Sequence, residues 1–237
     1  NMWYEADLDA VMSRTCLRPI PVGKVKKKQA LIFGIMLSII SISLLYLSSN
    51  LLSALLLAVT ISFYFFVYTV WLKRKTSQNI VIGGAAGALP PVIGWTISTG
   101  NISIAPLILF LIIFFWTPSH FWALSLYKAD DYKKAKIPML PLISGADVTK
   151  KNIFIYSLLM IPAVASTYYF NLSGLFISSL NLILTLYYVF LCFLLLKSQS
   201  LVKSNILAKK VFVYSIFYLF LIFLLILIDR FIGIYYG

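Results

Sequence analysis

The sequence predicts an all-α fold, a polytopic bundle of about seven membrane helices, and three observations predict it. Of 237 residues, 61% are apolar and only 11% are charged, against about 25% charged in an average soluble domain; the mean hydropathy is +0.95. Apolar runs of the roughly 20 residues needed to cross about 30 Å of hydrocarbon recur along the chain. Between those runs, loops rich in Lys and Arg alternate with loops that have none.

The elements follow in order. The opening NMWYEADLDAVMSRTCLRPIP is polar, and the first apolar run is Ala30 to Leu47, the second Leu51 to Leu72. A weaker run, Ile80 to Ile97, carries Gly83, Gly84, Gly87, Pro90, Pro91 and Gly94. It reads as a tightly packed or kinked helix, with close approach of neighbours favoured over carbonyls freed for a substrate. Four more runs follow: Ile104 to Leu126, Ile153 to Phe170, Leu175 to Leu196 and Val211 to Ile228.

Arg14, Arg18, Lys24, Lys26, Lys27 and Lys28 precede the first run, and Lys73, Arg74 and Lys75 follow the second. The segment from Lys128 to Lys151 and then Lys197, Lys203, Lys209 and Lys210 supply the rest, whereas Ser48 to Asn50, Gly100 to Ser103 and Asn171 to Gly174 carry none. The positive-inside rule puts the basic loops in the cytoplasm, with Arg230 alone on the other side. Topogenic charge and attraction to anionic lipid account for the net charge of +13 without nucleic acid. Cys16 and Cys192 fall at different depths, so no disulfide is expected, and neither a metal-type cysteine cluster nor a signal peptide is recognised. The chain reads as one transmembrane domain, 1–237.

Chemistry is concentrated in the acids. Six of the seven, Glu5, Asp7, Asp9, Asp130, Asp131 and Asp147, fall on the inferred cytoplasmic side; Asp229 does not. On a helix, positions four apart share a face, so Asn1, Glu5 and Asp9 form a stripe of oxygen donors with Met12 beside it. Asp7 points elsewhere, toward the side where Arg14 and Arg18 project, as an ion-pair partner for them or a site residue. His120, Leu124, Tyr127 and Asp131 form a second stripe if one helix runs through them, with Asp130 adjacent. Carboxylate and amide oxygens beside Lys and Arg suit a hard divalent ion and a phosphate-bearing substrate. A diphosphate so held is a good leaving group, and the apolar bundle has room for its hydrocarbon tail. Hydrated juxtamembrane acids are the plainer alternative.

Three segments together resemble the UbiA superfamily of intramembrane prenyltransferases, and within it the haem O synthase (protoheme IX farnesyltransferase) branch. They are the opening Asn1, Glu5, Asp7, Asp9, Met12, Arg14, Thr15, Arg18, Pro19; the stretch YTVWLKRKTSQNIVIGGAAGALPPVIGW; and WTPSHFWALSLYKADDYKKAKIPMLP. The likeness runs from Asn1 to about Gly145, and beyond it only the hydrophobic layout agrees. Glu5 replaces the family's usual aspartate, and Ser77 and Ser119 its usual prolines. Family members have nine membrane helices, two of them before the first motif. The resemblance therefore implies that two N-terminal helices of the fold precede Asn1, and a polypeptide without them is expected to leave apolar faces and the substrate cavity open.

The resemblance implies transfer of farnesyl from farnesyl diphosphate to a vinyl group of haem b, with Mg²⁺ as cofactor, in a bacterial inner membrane. Glu5, Asp9 and Asp131 are then the catalytic acids, with Asn1 and Asp130 completing the metal ligands. Arg14, Arg18, Lys73 and Arg74 bind diphosphate, or serve only as topogenic charge. Trp116, Phe121, Trp122 and Tyr127 line the haem or prenyl pocket, or are simply core and interface aromatics. His120, the single histidine, contacts haem or is a satisfied interior histidine. Haem A synthase or oxidase assembly proteins are the protein partners implied. Three rivals remain: a prenyltransferase with a quinone or chlorophyll precursor as acceptor, a transporter, whose acids would sit nearer the midplane, and an inactive assembly subunit.

Overall fold

The computed structural model describes the backbone of residues 1–236 and the side chains of residues 1–233; it is 79% helical, with no strand among the described residues. Among the described residues, seven helical segments are long and apolar enough to cross a membrane. They are α2 (Lys27–Ser48); α3 (Leu51–Ser62) with a π-helical continuation (Phe63–Leu72); α4 (Asn79–Ala88) with α5 (Pro90–Thr99); α6 (Ile104–Tyr127); α9 (Gly145–Tyr169); α10 (Leu175–Lys197); and most of α11 (Leu201–Tyr236). Three short helices lie outside these spans: α1 (Ala6–Val11) before the first, and α7 (Ala129–Lys134) and α8 (Leu140–Ile143) between α6 and α9. The chain is an integral membrane protein, as its composition requires.

Two compact units result. The first comprises Asn1–Ile102 and Lys128–Ile143, the second Ser103–Tyr127 and the chain from Ser144 onward.

In the first unit α2 has no buried residue and packs on α3. Asn50 caps α3, its Oδ1 accepting from the Ser53 amide at 2.9 Å, while its Nδ2 donates to the Thr96 carbonyl of α5 at 2.7 Å. Ser53 Oγ donates to Thr96 Oγ1 at 2.9 Å, so polar groups at membrane depth are paired across the two helices. The weak run is broken at Leu89, because Pro90 and Pro91 open α5 where a missing N–H costs nothing. Close packing holds at Gly83, where a Cβ would fall inside the Tyr68 ring; Gly87 and Gly94 have nothing within 4 Å of that position.

The second unit packs α6, α9, α10 and α11 around a core that fully buries Trp122, Tyr188, Tyr218, Ile153 and Met160. Buried phenols find partners, Tyr188 with Ser119 at 2.8 Å and Tyr218 with Thr185 at 2.9 Å. At one end of α10, Asp229 Oδ2 accepts from the Gly174 amide at 2.6 Å, and Arg230 Nε donates to the Leu172 carbonyl at 3.1 Å. At the other end, the buried Lys150 donates to the Ser198 carbonyl at 2.9 Å, a cation at the negative pole of a helix. Two N-terminal boundaries differ most from expectation. α9 begins at Gly145 rather than Ile153, and α11 at Leu201 rather than Val211, because a helix does not stop where hydrocarbon stops; its polar turns continue outward.

Candidate active site

The opening segment keeps helical spacing beyond α1 itself: the Glu5 amide donates to the Asn1 carbonyl and the Asp9 amide to the Glu5 carbonyl, each at 2.9 Å. Asn1, Glu5 and Asp9 therefore do share a register. Asn1 Nδ2 donates to Glu5 Oε2 at 2.9 Å and to Tyr64 Oη at 3.3 Å. Glu5 is 3% exposed, and its Oε1 stands 2.5 Å from Lys73 Nζ. That oxygen makes no hydrogen bond of acceptable direction, so the contact is an ion pair with the ammonium out of line. Asp9, 4% exposed, meets Arg18 Nη1 at 3.0 Å through Oδ1 and 2.9 Å through Oδ2. Thr15 Oγ1 donates to the Asp9 carbonyl at 3.1 Å and folds the following loop back over the acid.

Asp7 pairs with neither Arg14 nor Arg18. The chain leaves helical geometry at Met12 (φ −91°, ψ 128°), so the helical wheel does not extend to those arginines, and Arg18 is already held by Asp9. Asp7 instead takes Arg74 in a two-bond fork, Nη1 to Oδ2 at 3.0 Å and Nη2 to Oδ1 at 2.9 Å. The Arg74 hydrogen bonds hold the Asp7 carboxyl below its ordinary range, and the carboxylate pushes the guanidinium up. Arg14 is exposed and makes no ion pair with the described residues.

The second stripe is interrupted. α6 ends at Tyr127, Lys128 breaks the helix (φ −112°, ψ 24°), and α7 starts afresh. Asp131 therefore leaves the face shared by His120, Leu124 and Tyr127 and belongs to the first unit with the opening segment. There its Oδ2 accepts from Ser13 Oγ at 2.5 Å, which joins the two acidic motifs directly. Asp130 is exposed beside it.

Lys73 reaches Glu5 because of the π-helical turn. At about 100° per residue, the ninth position after Tyr64 lies roughly 180° away on an α-helix. The wider turn, closing bonds such as Lys73 amide to Tyr68 carbonyl at 2.9 Å, winds less per residue and returns Lys73 to the side of Tyr64 and Tyr68. Those two rings stand 5.3 Å apart, and Lys73 Nζ lies 5.7 Å from the Tyr68 centroid. Tyr64, Tyr68 and Ser13 are the residues of this site that the sequence did not single out: the tyrosines are hidden in FYFFVYTVWL and Ser13 is an unremarked loop serine.

The aromatic residues expected at a pocket lie in the second unit. His120, 7% exposed, is stacked between Trp116 and Phe212, centroids 4.2 and 4.6 Å away, with Phe121 edge-on at 4.9 Å. Tyr127 packs on Phe212 at 5.9 Å. Trp122 is fully buried against Tyr156 of α9, 5.5 Å away.

Among the described residues no group of three or more His, Cys, Asp or Glu side chains is gathered as a metal site. The two buried acids are instead neutralised in place by Lys73 and Arg18. The donors nevertheless fit a hard cation: they are carboxylate and amide oxygens, and Glu5 Oε1 is buried without a hydrogen bond.

Seven membrane-spanning helical segments among the described residues, with buried acids and their cations gathered in the first unit, are the pattern of an intramembrane prenyl-transferring enzyme. The chain belongs to the UbiA prenyltransferase family, whose profile matches residues 1–216. Its relatives include proteins named protoheme IX farnesyltransferase. That of Pelagibacter ubique is 63% identical over 230 residues, 97% of this chain and 76% of the relative; that of Bartonella henselae is 48% identical over 232 residues, 98% and 74%; that of Parvibaculum lavamentivorans is 47% identical over 234 residues, 99% and 74%. Two solved structures share the fold: a digeranylgeranylglyceryl phosphate synthase (TM-score 0.78, 18% identity, 96% of this chain and 78% of that one) and a UbiA homolog from Archaeoglobus fulgidus bound to DMAPP and Mg²⁺ (TM-score 0.63, 19% identity, 95% and 81%). At these identities the likeness bears on fold alone.

Proposed function

We propose that this enzyme transfers farnesyl from farnesyl diphosphate to a vinyl group of haem b, adding a hydroxyl and giving haem O. The observation that carries the reading is the pairing of Glu5 with Lys73 and of Asp9 with Arg18, beside a second acidic motif tied in through Ser13 and Asp131. Identity of 63% to a protoheme IX farnesyltransferase supports the donor and acceptor.

Asn1, Glu5, Asp9, Asp130 and Asp131 would hold Mg²⁺, which when bound neutralises charge on the diphosphate leaving group; the fold relative bound to DMAPP and Mg²⁺ supports this choice. Lys73 and Arg18 are the cations placed to turn from carboxylate to phosphate oxygens, since each already stands in ion-pair contact with a buried acid. Arg74 and the exposed Arg14 add positive charge at the same segments. Asn1 and Tyr64 orient the Glu5 carboxylate through the Asn1 amide. In the second unit, Trp116, Phe121 and Tyr127 offer π faces for a haem or prenyl group, and Trp122 is fully buried in that unit's core. The alternation of basic and uncharged loops supports an inner-membrane protein with its two acid clusters on the cytoplasmic side.

The experiment is a mass-spectrometric assay of the purified chain in lipid with haem b, farnesyl diphosphate and Mg²⁺, with and without chelator. A chelator-sensitive haem product heavier by one farnesyl and one hydroxyl group is expected. Mg²⁺-dependent diphosphate release with a quinone precursor as acceptor, and none with haem, would overturn the acceptor; no turnover with either would overturn the reading for this chain.

A further inference from the structure

His120 is held by a hydroxyl from another helix. Its Nδ1 lies 2.6 Å from Ser215 Oγ of α11, a residue with no exposed surface, and Ser215 Oγ lies 2.6 Å from the Phe212 carbonyl one turn earlier. Trp116 Nε1 donates to the Ser215 carbonyl at 2.8 Å, so the ring stacked on one face of His120 is anchored to the same serine. The other face is covered by Phe212.

A serine hydroxyl has one proton and two lone pairs. Both 2.6 Å contacts exist together only if that proton goes to the Phe212 carbonyl and the oxygen accepts from Nδ1–H. With the roles reversed, an unprotonated Nδ1 receives the proton and two oxygens with only lone pairs face each other at 2.6 Å. Of the two neutral tautomers, the arrangement therefore selects Nδ1–H. Nε2 then carries the lone pair, has no partner among the described residues, and is not among the buried unpartnered atoms, so it opens onto accessible space. Stacking on both faces and the hydrogen bond at Nδ1 leave the ring no free rotation.

We propose that Ser215 is a positioning residue that fixes His120 as the Nδ1–H tautomer, presenting the Nε2 lone pair to the iron of a haem substrate. The inference rests on the haem reading above. It assigns to α11, which lies beyond the recognisable motifs, a part in acceptor binding. A histidine that ligates iron through one nitrogen is oriented by a hydrogen bond from the other, and loss of that partner commonly weakens binding about 10- to 100-fold. The bond is dative, so no electron or proton changes hands.

Two measurements separate the inference from the reading beneath it. Since His120 is the only histidine, ¹⁵N-histidine labelling gives a single imidazole whose two nitrogens report the tautomer with no haem present. A protonated Nδ1 and an unprotonated Nε2 are expected in the parent chain and in Ser215→Thr, and loss of that preference in Ser215→Ala. The opposite tautomer in the parent chain would overturn the proposal whatever haem does. Titration with ferric haem then tests the ligand role by its Soret band and EPR spectrum. The parent chain and Ser215→Thr are expected to show histidine-ligated iron, His120→Gln to lose it, and Ser215→Ala to weaken it about tenfold or more. A Ser215→Ala protein that is folded by circular dichroism and matches the parent in spectrum and affinity would sink the positioning role. The expected tautomer without any histidine–iron signature would instead overturn the haem ligand and, with it, the destination proposed for Nε2.

Discussion

Replacing Lys73 by methionine removes the cation that, among the described residues, forms the ion pair with a carboxylate that has almost no water. Glu5 is 3% exposed and the Lys73 side chain 18%. Breaking a buried pair by deleting one partner costs about 3–5 kcal/mol, because the survivor keeps its desolvation penalty. Asn1 Nδ2 still donates to Oε2, which places Lys73→Met near the lower end, about 3 kcal/mol. Glu5→Gln should cost less, about 1 kcal/mol, since the freed ammonium keeps access to water and the face of Tyr68. The double variant buries no charge there and should cost no more than Glu5→Gln, giving a coupling of about 3 kcal/mol. The assay is reversible unfolding of the four proteins in one mixed-micelle system, followed by tryptophan fluorescence and circular dichroism. A Lys73→Met cost below about 1 kcal/mol, or a coupling below about 0.5 kcal/mol, within the additivity expected of independent sites, would show that this ion pair does not neutralise Glu5.

Gly83→Ala should destabilise by about 1–3 kcal/mol, because its methyl would enter the Tyr68 ring, whereas Gly87→Ala, with open space around it, should be neutral or stabilising by up to about 1 kcal/mol; thermal shifts of the two proteins should have opposite sign or differ clearly. The Asp7 carboxyl is lowered by Arg74, so the pair's contribution is present above the unfolded carboxyl value of about 3.9 and lost as pH falls through the lower folded value. With Asp7 57% and Arg74 37% exposed, that contribution is at most about 1 kcal/mol. The stability gap between the parent and Asp7→Asn should therefore shrink in high salt and close at the acid end of a pH series. Asp229→Ala removes a carboxylate from the Gly174 amide at the N-terminus of α10 and should cost about 0.5–2 kcal/mol, read as faster amide exchange at Gly174 and in the first turn of α10.

What could be read in advance was whatever depends on local composition. Seven spans and their loops follow from hydropathy, and the shared register of Asn1, Glu5 and Asp9 follows from spacing four apart, which the backbone bonds from Glu5 to Asn1 and from Asp9 to Glu5 preserve. Partner choice was not local. Arg14, Arg18, Lys73 and Arg74 were equivalent cations in the sequence, yet each acid selects by burial and reach: Asp9 takes Arg18 nine residues on, Asp7 takes Arg74, and Glu5 takes Lys73 only because a π-helical segment rotates that lysine onto its side. No residue in FYFFVYTVWL signals the wider turn. The stripe from His120 to Asp131 failed for a related reason, since it assumed an unbroken helix where Lys128 leaves helical geometry. His120 was conspicuous as the single ionisable ring in an apolar run. Ser215 was not, because a serine in VFVYSIFYLF looks like any residue that returns its proton to its own helix. It does return that proton, to Phe212, and for that reason its oxygen has only lone pairs left to offer the imidazole. The feature that hid the serine in the sequence is the one that determines the tautomer.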